Sequence, residues 1–308
     1  MDQSDASWKT YARYMNDGYE AKPTASSMLM SSSQYLNDPR VREWTTRECL
    51  RRNGLDLPTT YGIPDLNLAL EEHIDRNRIN ELFEAARKDW PELDQFLGER
   101  YLSKWRKDDL TKFPVGSVGH AVWKQFDTYG YDNTLAGSAL PVRDHCDFFR
   151  RRKVEIHDFM HVLTGAGFDY LGEAVPNMIH FGSFHKYFVP ELAHNLTISN
   201  MFLFFPYFMR SSLHYPQGFP WLWDLMNRGV EIGRQSGPYF LKRIEDYLHL
   251  SLPEAREALE IRGVEDLDLA EWARRSDVIM EGGQTYTEQK ALARKKAADE
   301  EAAQRRVA

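Results

Sequence analysis

His157-Asp158-Phe159-Met160-His161, followed after eleven intervening residues by Glu173, places two imidazoles and two carboxylates within seventeen residues. Imidazole nitrogens and carboxylate oxygens are the donors of divalent metal sites. On a helix His157 and His161 share one face, a turn apart, and can grip a single cation. Asp158, three residues before His161, can converge on the same point. In the spacer, Gly165 and Gly167 can end the first helix and Asp169 can cap a second. Glu173 is then expected in the first turn of that second helix, folding back onto the metal. Nitrogen and oxygen ligands without sulfur suit zinc, and also accept iron or manganese. A zinc protease would carry glutamate directly after its first histidine. Asp158 stands there instead, with a shorter reach, which argues against peptide hydrolysis.

Other candidates surround this run. Arg150-Arg151-Arg152-Lys153 lies one to two turns before His157, a charged face from which one residue can hold a substrate carboxylate, with Arg151 and Arg152 as the candidates. His180 and His185 follow Glu173 closely enough to touch substrate, and His180 is the candidate substrate contact. A second carboxylate-x-x-His pair, Glu191 and His194, faintly imitates a two-metal bundle. The partner carboxylates such a bundle needs are not found, and Pro190 makes Glu191 a helix-start residue. The aromatic segment from Phe181 through Phe219 reads first as core packing, with a greasy tunnel or membrane-facing patch as its functional reading.

Helices must position these groups. Leu66, Leu70 and Ile74, then Ile79, Leu82, Phe83 and Ala86, recur at helical spacing, and Leu93, Phe96 and Leu97 continue the pattern. A short helix is expected from Pro39 to Asn53, closed near Gly54. Another begins with Ala121, Val122, Gln125 and Phe126. The chain breaks between Gly137 and Pro141 before the helix that carries Phe148, Phe149 and the metal motif. Ser251-Leu252-Pro253-Glu254 is a capping box with proline just inside the helix start. No sustained alternation of strand type appears. The expectation is an all-α protein: a polar N-terminal arm over 1–34, one helical metal-binding domain over 35–265, and a charged C-terminal tail over 266–308.

Composition narrows the class. At 308 residues with 42% hydrophobic content the chain can bury a sizeable core, and a net charge of -7 argues against a general nucleic-acid binder. Cys49 and Cys146 are too few for a thiolate zinc site or a disulfide framework. The N-terminus, with Asp2 and Asp5, lacks both a secretory core and the Arg-rich character of a mitochondrial presequence. No apolar run approaches the ~20 residues that span a bilayer, so any membrane contact is expected from one side.

The metal run and its flanks resemble the ubiquinone (coenzyme Q) biosynthesis protein 4 family, whose signature is His-Asp-x-x-His, eleven residues, Glu. His161-Val162-Leu163-Thr164-Gly165 and Leu171-Gly172-Glu173-Ala174 are similar to that family's sequence around its ligands. So are Leu110 to Gly119, Gly233-Arg234, and the closing segment Leu252 to Ile261. The resemblance spans roughly residues 35 to 261 and is densest from 110 to 182. Two departures stand out: family members end the last helix with Leu-Gly-Ile/Val, where this chain has Leu259-Glu260-Ile261, and this chain carries an atypical N-terminal stretch and a charged C-terminal tail, which implies different partners. The resemblance implies a zinc site, with ferrous iron as the other choice, held by His157, Asp158, His161 and Glu173. Glu173 and Asp158 are the expected catalytic groups. The activity it implies is metal-dependent, oxidative decarboxylation of a polyprenylated 4-hydroxybenzoate-type ring at its first carbon. The implied setting is bacterial-type: a cytoplasmic homo-oligomer, peripheral to the inner membrane, meeting other ubiquinone-biosynthesis proteins and no nucleic acid. Two rivals remain at this level. One is a non-catalytic scaffold that binds polyprenyl lipid, and the other is a metal-dependent hydrolase of a phosphorylated lipid.

Overall fold

The helical spacing of apolar residues becomes helices with one buried face. In the computed structural model, residues 30–50, 63–129, 142–167, 171–264 and short stretches between 292 and 305 are described. The first elements are α1 (Gln34–Asn37), α2 (Pro39–Leu50), α3 (Ile63–Glu71), α4 (Arg76–Ala86) and α5 (Pro91–Glu99). After them come α6 (Val118–Tyr129), α7 (His145–Thr164), α8 (Ala174–Tyr187), α9 (Pro190–His214), α10 (Phe219–Gln235) and α11 (Leu252–Ala258). The expected faces are the buried ones: Leu66 and Leu70 on α3, Ile79, Leu82 and Phe83 on α4, Leu93, Phe96 and Leu97 on α5. The described residues contain no strand, only an isolated antiparallel bridge between Ser117 and Ser251. The protein is all-α. Gly54, the break from Gly137 to Pro141, Asp169, residues 1–29 of the arm and most of the tail lie outside the described residues.

Helix α7 is the axis of the molecule. Asp144 caps its start by accepting a hydrogen bond from the Asp147 amide at 2.9 Å, and Gly165, with φ at 79°, ends it. Its apolar side, Phe148, Phe149, Ile156, Phe159, Met160 and Leu163, is buried in a core shared with α4, α5, α8 and the segment around Phe240. Rings cluster there edge to face: Phe149 meets Phe184 at 5.2 Å and Phe240 at 5.9 Å between centroids. Much of the aromatic segment thus packs the core.

Helices α8 and α10 cross closely because the residues between them are small. A Cβ at Gly182 would strike the backbone of Val230, and one at Gly233 the backbone of Ile179. This explains Gly233 within the Gly233-Arg234 pair. The 25-residue α9 contains Pro206, whose missing N–H leaves one helical carbonyl without its usual donor. On its outer side α1, α2 and α3 form a second apolar cluster, with Tyr35, Val41, Trp44, Leu66 and Leu70 against Ile198. A buried ion pair between Arg210 and Glu48 at 3.2 Å ties α9 to α2. No helix among the described residues is long and apolar enough to cross a membrane.

The capping box forms as its spacing requires: the Glu254 carboxylate accepts from the Ser251 amide at 2.9 Å, and α11 follows. Glu260 adopts the left-handed backbone that glycine favours, with φ at 58°. Its carbonyl accepts from the Gly237 amide at 2.8 Å, and its carboxylate holds Lys242 at 2.6 Å.

Candidate metal centre

Successive side chains on an α-helix turn by about 100°, so residues four apart nearly superimpose. His157 and His161 therefore leave α7 on one face, and their Nε2 atoms stand 3.3 Å apart. Gly165 ends α7, and Glu173 stands at the start of α8, where it is the capping residue rather than part of the first turn. Its Oε2 lies 3.1 Å from His157 Nε2 and 3.6 Å from His161 Nε2. Two small residues make the approach close: a Cβ at Gly172 would strike the backbone of Gly167. The Gly167 carbonyl in turn accepts a hydrogen bond from His161 Nδ1 at 3.0 Å. That bond puts the ring proton on Nδ1 and leaves the Nε2 lone pair facing His157 and Glu173, the orientation given by the outer partners of metal-bound histidines.

These three residues fit a metal. Around a tetrahedral ion with bonds of about 2.0–2.1 Å, neighbouring ligand atoms lie about 3.3 Å apart. The three observed separations bracket that value, and all three donor atoms lie within 4.8 Å of one another. A tetrahedral ion held by these three would have one position left for water, substrate or a further side chain. Asp158 does not join this cluster. One residue on from His157, it is turned by about 100° and lies beside the cluster on the wall of the same cavity.

The charges are mutually dependent. Burial alone would raise the Glu173 carboxyl, but the two histidines hold it far below the usual carboxylate range. Burial alone would lower His157, yet its hydrogen bond to Glu173 and the nearby Asp158 charge raise it. For Asp158 burial wins: its carboxyl is raised despite the histidines, with the Glu173 charge adding to the effect.

A cavity of about 200 Å³ opens beside the cluster, between α7, α8 and α9. Its polar wall carries Lys153, Asn177, His180, Ser199 and Asn200, and its other wall carries apolar groups including Leu203, Phe204 and Tyr207. His180, the expected substrate contact, does line it. Arg151 and Arg152 do not. They precede His157 by six and five residues, which turns them about 120° and 140° away from its face. Arg151 pairs with Glu155 at 3.0 Å, and Arg152 is buried against Glu155 and Glu245, each at 2.8 Å. Lys153, four before His157, is the member of the basic run that reaches the cavity. The same interval from Glu173 points to Asn177. Both were readable from spacing once the His157 face was taken as the reference. Glu191 is held by Arg78 at 2.7 Å in a helix-start ion pair, and among the described residues it joins no metal-ligand cluster.

The fold and this cluster define the class: an all-helical protein with a His-His-Glu group at the mouth of a half-polar cavity. No family model matches the chain, and no curated protein matches it. Among solved structures it is similar to that of a Nostoc punctiforme protein provisionally assigned to ubiquinone biosynthesis, with 22% identity and a TM-score of 0.52. The match covers 72% of this chain and 96% of the other. The two share a fold.

Proposed function

We propose that this chain is a metal-dependent enzyme of ubiquinone biosynthesis that removes the ring carboxylate of a polyprenylated 4-hydroxybenzoate-type precursor. The observation that carries the reading is the convergence of His157, His161 and Glu173 on the wall of a cavity that is polar on one side and apolar on the other. Such a cavity suits an aromatic head group with a hydrocarbon tail, and the shared fold supports the pathway. A bound zinc or ferrous ion would supply Lewis-acid stabilisation of charge on a ring oxygen. The chain's residues do the rest. Glu173 balances the ion's charge, and His161 is held in register by Gly167. Asp158, on the cavity wall beside the cluster, is placed to exchange a proton with the ring as carbon dioxide leaves. In the oxidative form of the reaction a hydroxyl replaces the carboxylate: the carboxyl leaves as carbon dioxide, water supplies the hydroxyl oxygen, and dioxygen takes the two electrons and two protons as hydrogen peroxide.

The test is turnover. Purified protein, loaded with zinc or with ferrous iron and supplied with a carboxylated polyprenyl phenol under air, should release carbon dioxide. His161→Ala should lose both the metal and the release, since ligand and metal are coupled. Precursor binding without carbon dioxide release under either metal would replace the enzyme reading with that of a lipid-binding scaffold.

A further inference from the structure

Lys153 lines the cavity with a cation that no acid balances. Its Nζ donates to the Asn200 Oδ1 at 2.9 Å, the Leu196 carbonyl at 3.1 Å and the Ser199 hydroxyl at 3.3 Å. All three acceptors are neutral, and among the described residues no carboxylate pairs with it. A recessed charge normally has a counter-charge. Its acceptors are fixed in place: Asn200 donates to the Asn177 Oδ1 at 2.8 Å, and Asn177 donates to the Glu173 carbonyl at 2.9 Å. The ammonium is thus tied, through two oriented amides, to the backbone that carries a candidate metal ligand.

His180 adds a second donor to the same wall. It is 1% exposed, and among the described residues its Nε2 has no partner. The Tyr239 hydroxyl and His180 Nδ1 are hydrogen-bonded at 2.8 Å, and with the hydroxyl as donor the ring proton sits on Nε2. Burial, then the charges of Lys153 and His157, keep this imidazole neutral. The wall therefore presents one ammonium and one lone N–H donor, with no acid among the residues they touch.

We propose that Lys153 and His180 form an oxyanion subsite that takes the carboxylate of an aromatic acid held in this cavity. The proposal rests on the aromatic-acid substrate proposed above, and assigns its recognition to Lys153 rather than to Arg151 or Arg152. A carboxylate oxygen replaces the Ser199 hydroxyl, the longest of the three bonds at Lys153, and another accepts from His180 Nε2. A neutral amide in the same position keeps an acceptor but brings no counter-charge, so it binds less well.

Calorimetric titration of the metal-free full chain with benzoate, 4-hydroxybenzoate and 4-hydroxybenzamide tests this. Both acids should bind at least tenfold more tightly than the amide. Lys153→Met should abolish that preference. Ser199→Asp, at a half-exposed position on α9, leaves the lysine in place and supplies its missing counter-charge, and it too should abolish the preference while the melting transition stays intact. If Lys153→Met does not fold, Ser199→Asp decides. Equal binding of acid and amide by the wild type overturns the subsite, as does a preference surviving in folded Ser199→Asp. So does a preference that appears only after metal loading, or no binding of either acid at about 10 mM. A tenfold preference in a protein that releases no carbon dioxide would leave the subsite standing and remove the reaction. Carbon dioxide release without the preference would remove the subsite alone.

Discussion

Arg152 and Lys153 are neighbours on one helix and meet opposite surroundings. Arg152 faces the core side, 2% exposed, with its guanidinium bonded to Glu155, Glu245 and the Ser103 hydroxyl, and stacked over Tyr101 at 5.3 Å. Its charge is met by Glu155, one turn on in the same helix, and by Glu245 from a distant segment. Lys153, one residue on, meets only neutral acceptors in a cavity that also holds the His157, His161 and Glu173 cluster. The balanced group holds helices together, and the unbalanced group awaits a ligand. Position in a run of four cations says nothing of this difference. The 100° step between side chains decides it.

The comparison can be broken first on the balanced side. Arg152→Met removes the cation and leaves Glu245 and Glu155 facing each other in a dry setting, with Arg151 still beside Glu155. Loss of one partner from such a group should cost about 3–5 kcal/mol in urea unfolding. A second change, Glu245→Leu, should recover much of that loss. If Arg152→Met unfolds at the wild-type midpoint, the group does not tie the helices together.

A smaller effect is expected where acids and arginines meet nearer the surface. Asp147 accepts from the Arg143 side chain at 2.7 Å, from the Arg143 amide at 3.0 Å and from Arg76. Burial would raise its carboxyl, but these bonds hold it at about 2. Because the folded value lies below the unfolded value near 3.9, the stability it contributes is present above about pH 4 and is lost as pH falls toward 2. With Arg143 largely exposed, screening reduces the effect, so wild type should exceed Asp147→Asn by about 1–2 kcal/mol at pH 7. The gap should close in acid. A gap that persists at pH 2 would show that the pair acts through packing rather than charge.

Much of this architecture was legible in the sequence because it depends on local geometry. The period of Leu66 and Leu70, or of Ile79, Leu82 and Phe83, fixes a buried helical face wherever the helix goes. The i, i+4 interval of His157 and His161 likewise needs only a helix, and Gly165 marks its end. Glu173 was also legible, since a loop of fixed length returns it to the same face. What failed was long-range. That Arg152 is consumed by Glu245 depends on a residue 93 positions away, and no spacing announces it. The depth of the α8 and α10 crossing depends on glycines from two separate segments. The Tyr239 bond that orients His180 spans 59 positions. Asp158 lies on the cavity wall beside the three-residue cluster, turned from the His157 face by the helical step between neighbours.

The smallest effect should come from the unbalanced side, and its size is the point. Lys153 contributes three hydrogen bonds but sits in a setting that disfavours its charge. Burial, then the Arg150 charge, lowers it to about 7. Replacing it with Met loses the bonds and removes that strain, and exchanges of recessed charge for apolar volume are often near neutral. In metal-free protein at pH 7, Lys153→Met should therefore unfold within about 1 kcal/mol of wild type, even as it abolishes the preference for aromatic acids. The pH dependence gives a second reading with a definite sign. The folded lysine binds its proton less tightly than the unfolded one, whose value is near 10.4, so between about pH 7 and 10 the unfolded chain holds more protons and wild-type stability rises with pH. Lys153→Met lacks that contribution, and other titrating groups are common to both proteins. The wild type should gain on the variant as pH climbs through this window. A wild type that instead loses ground would mean that the folded protein favours the ammonium, through a counter-charge inside the protein, and Lys153 would then belong with Arg152.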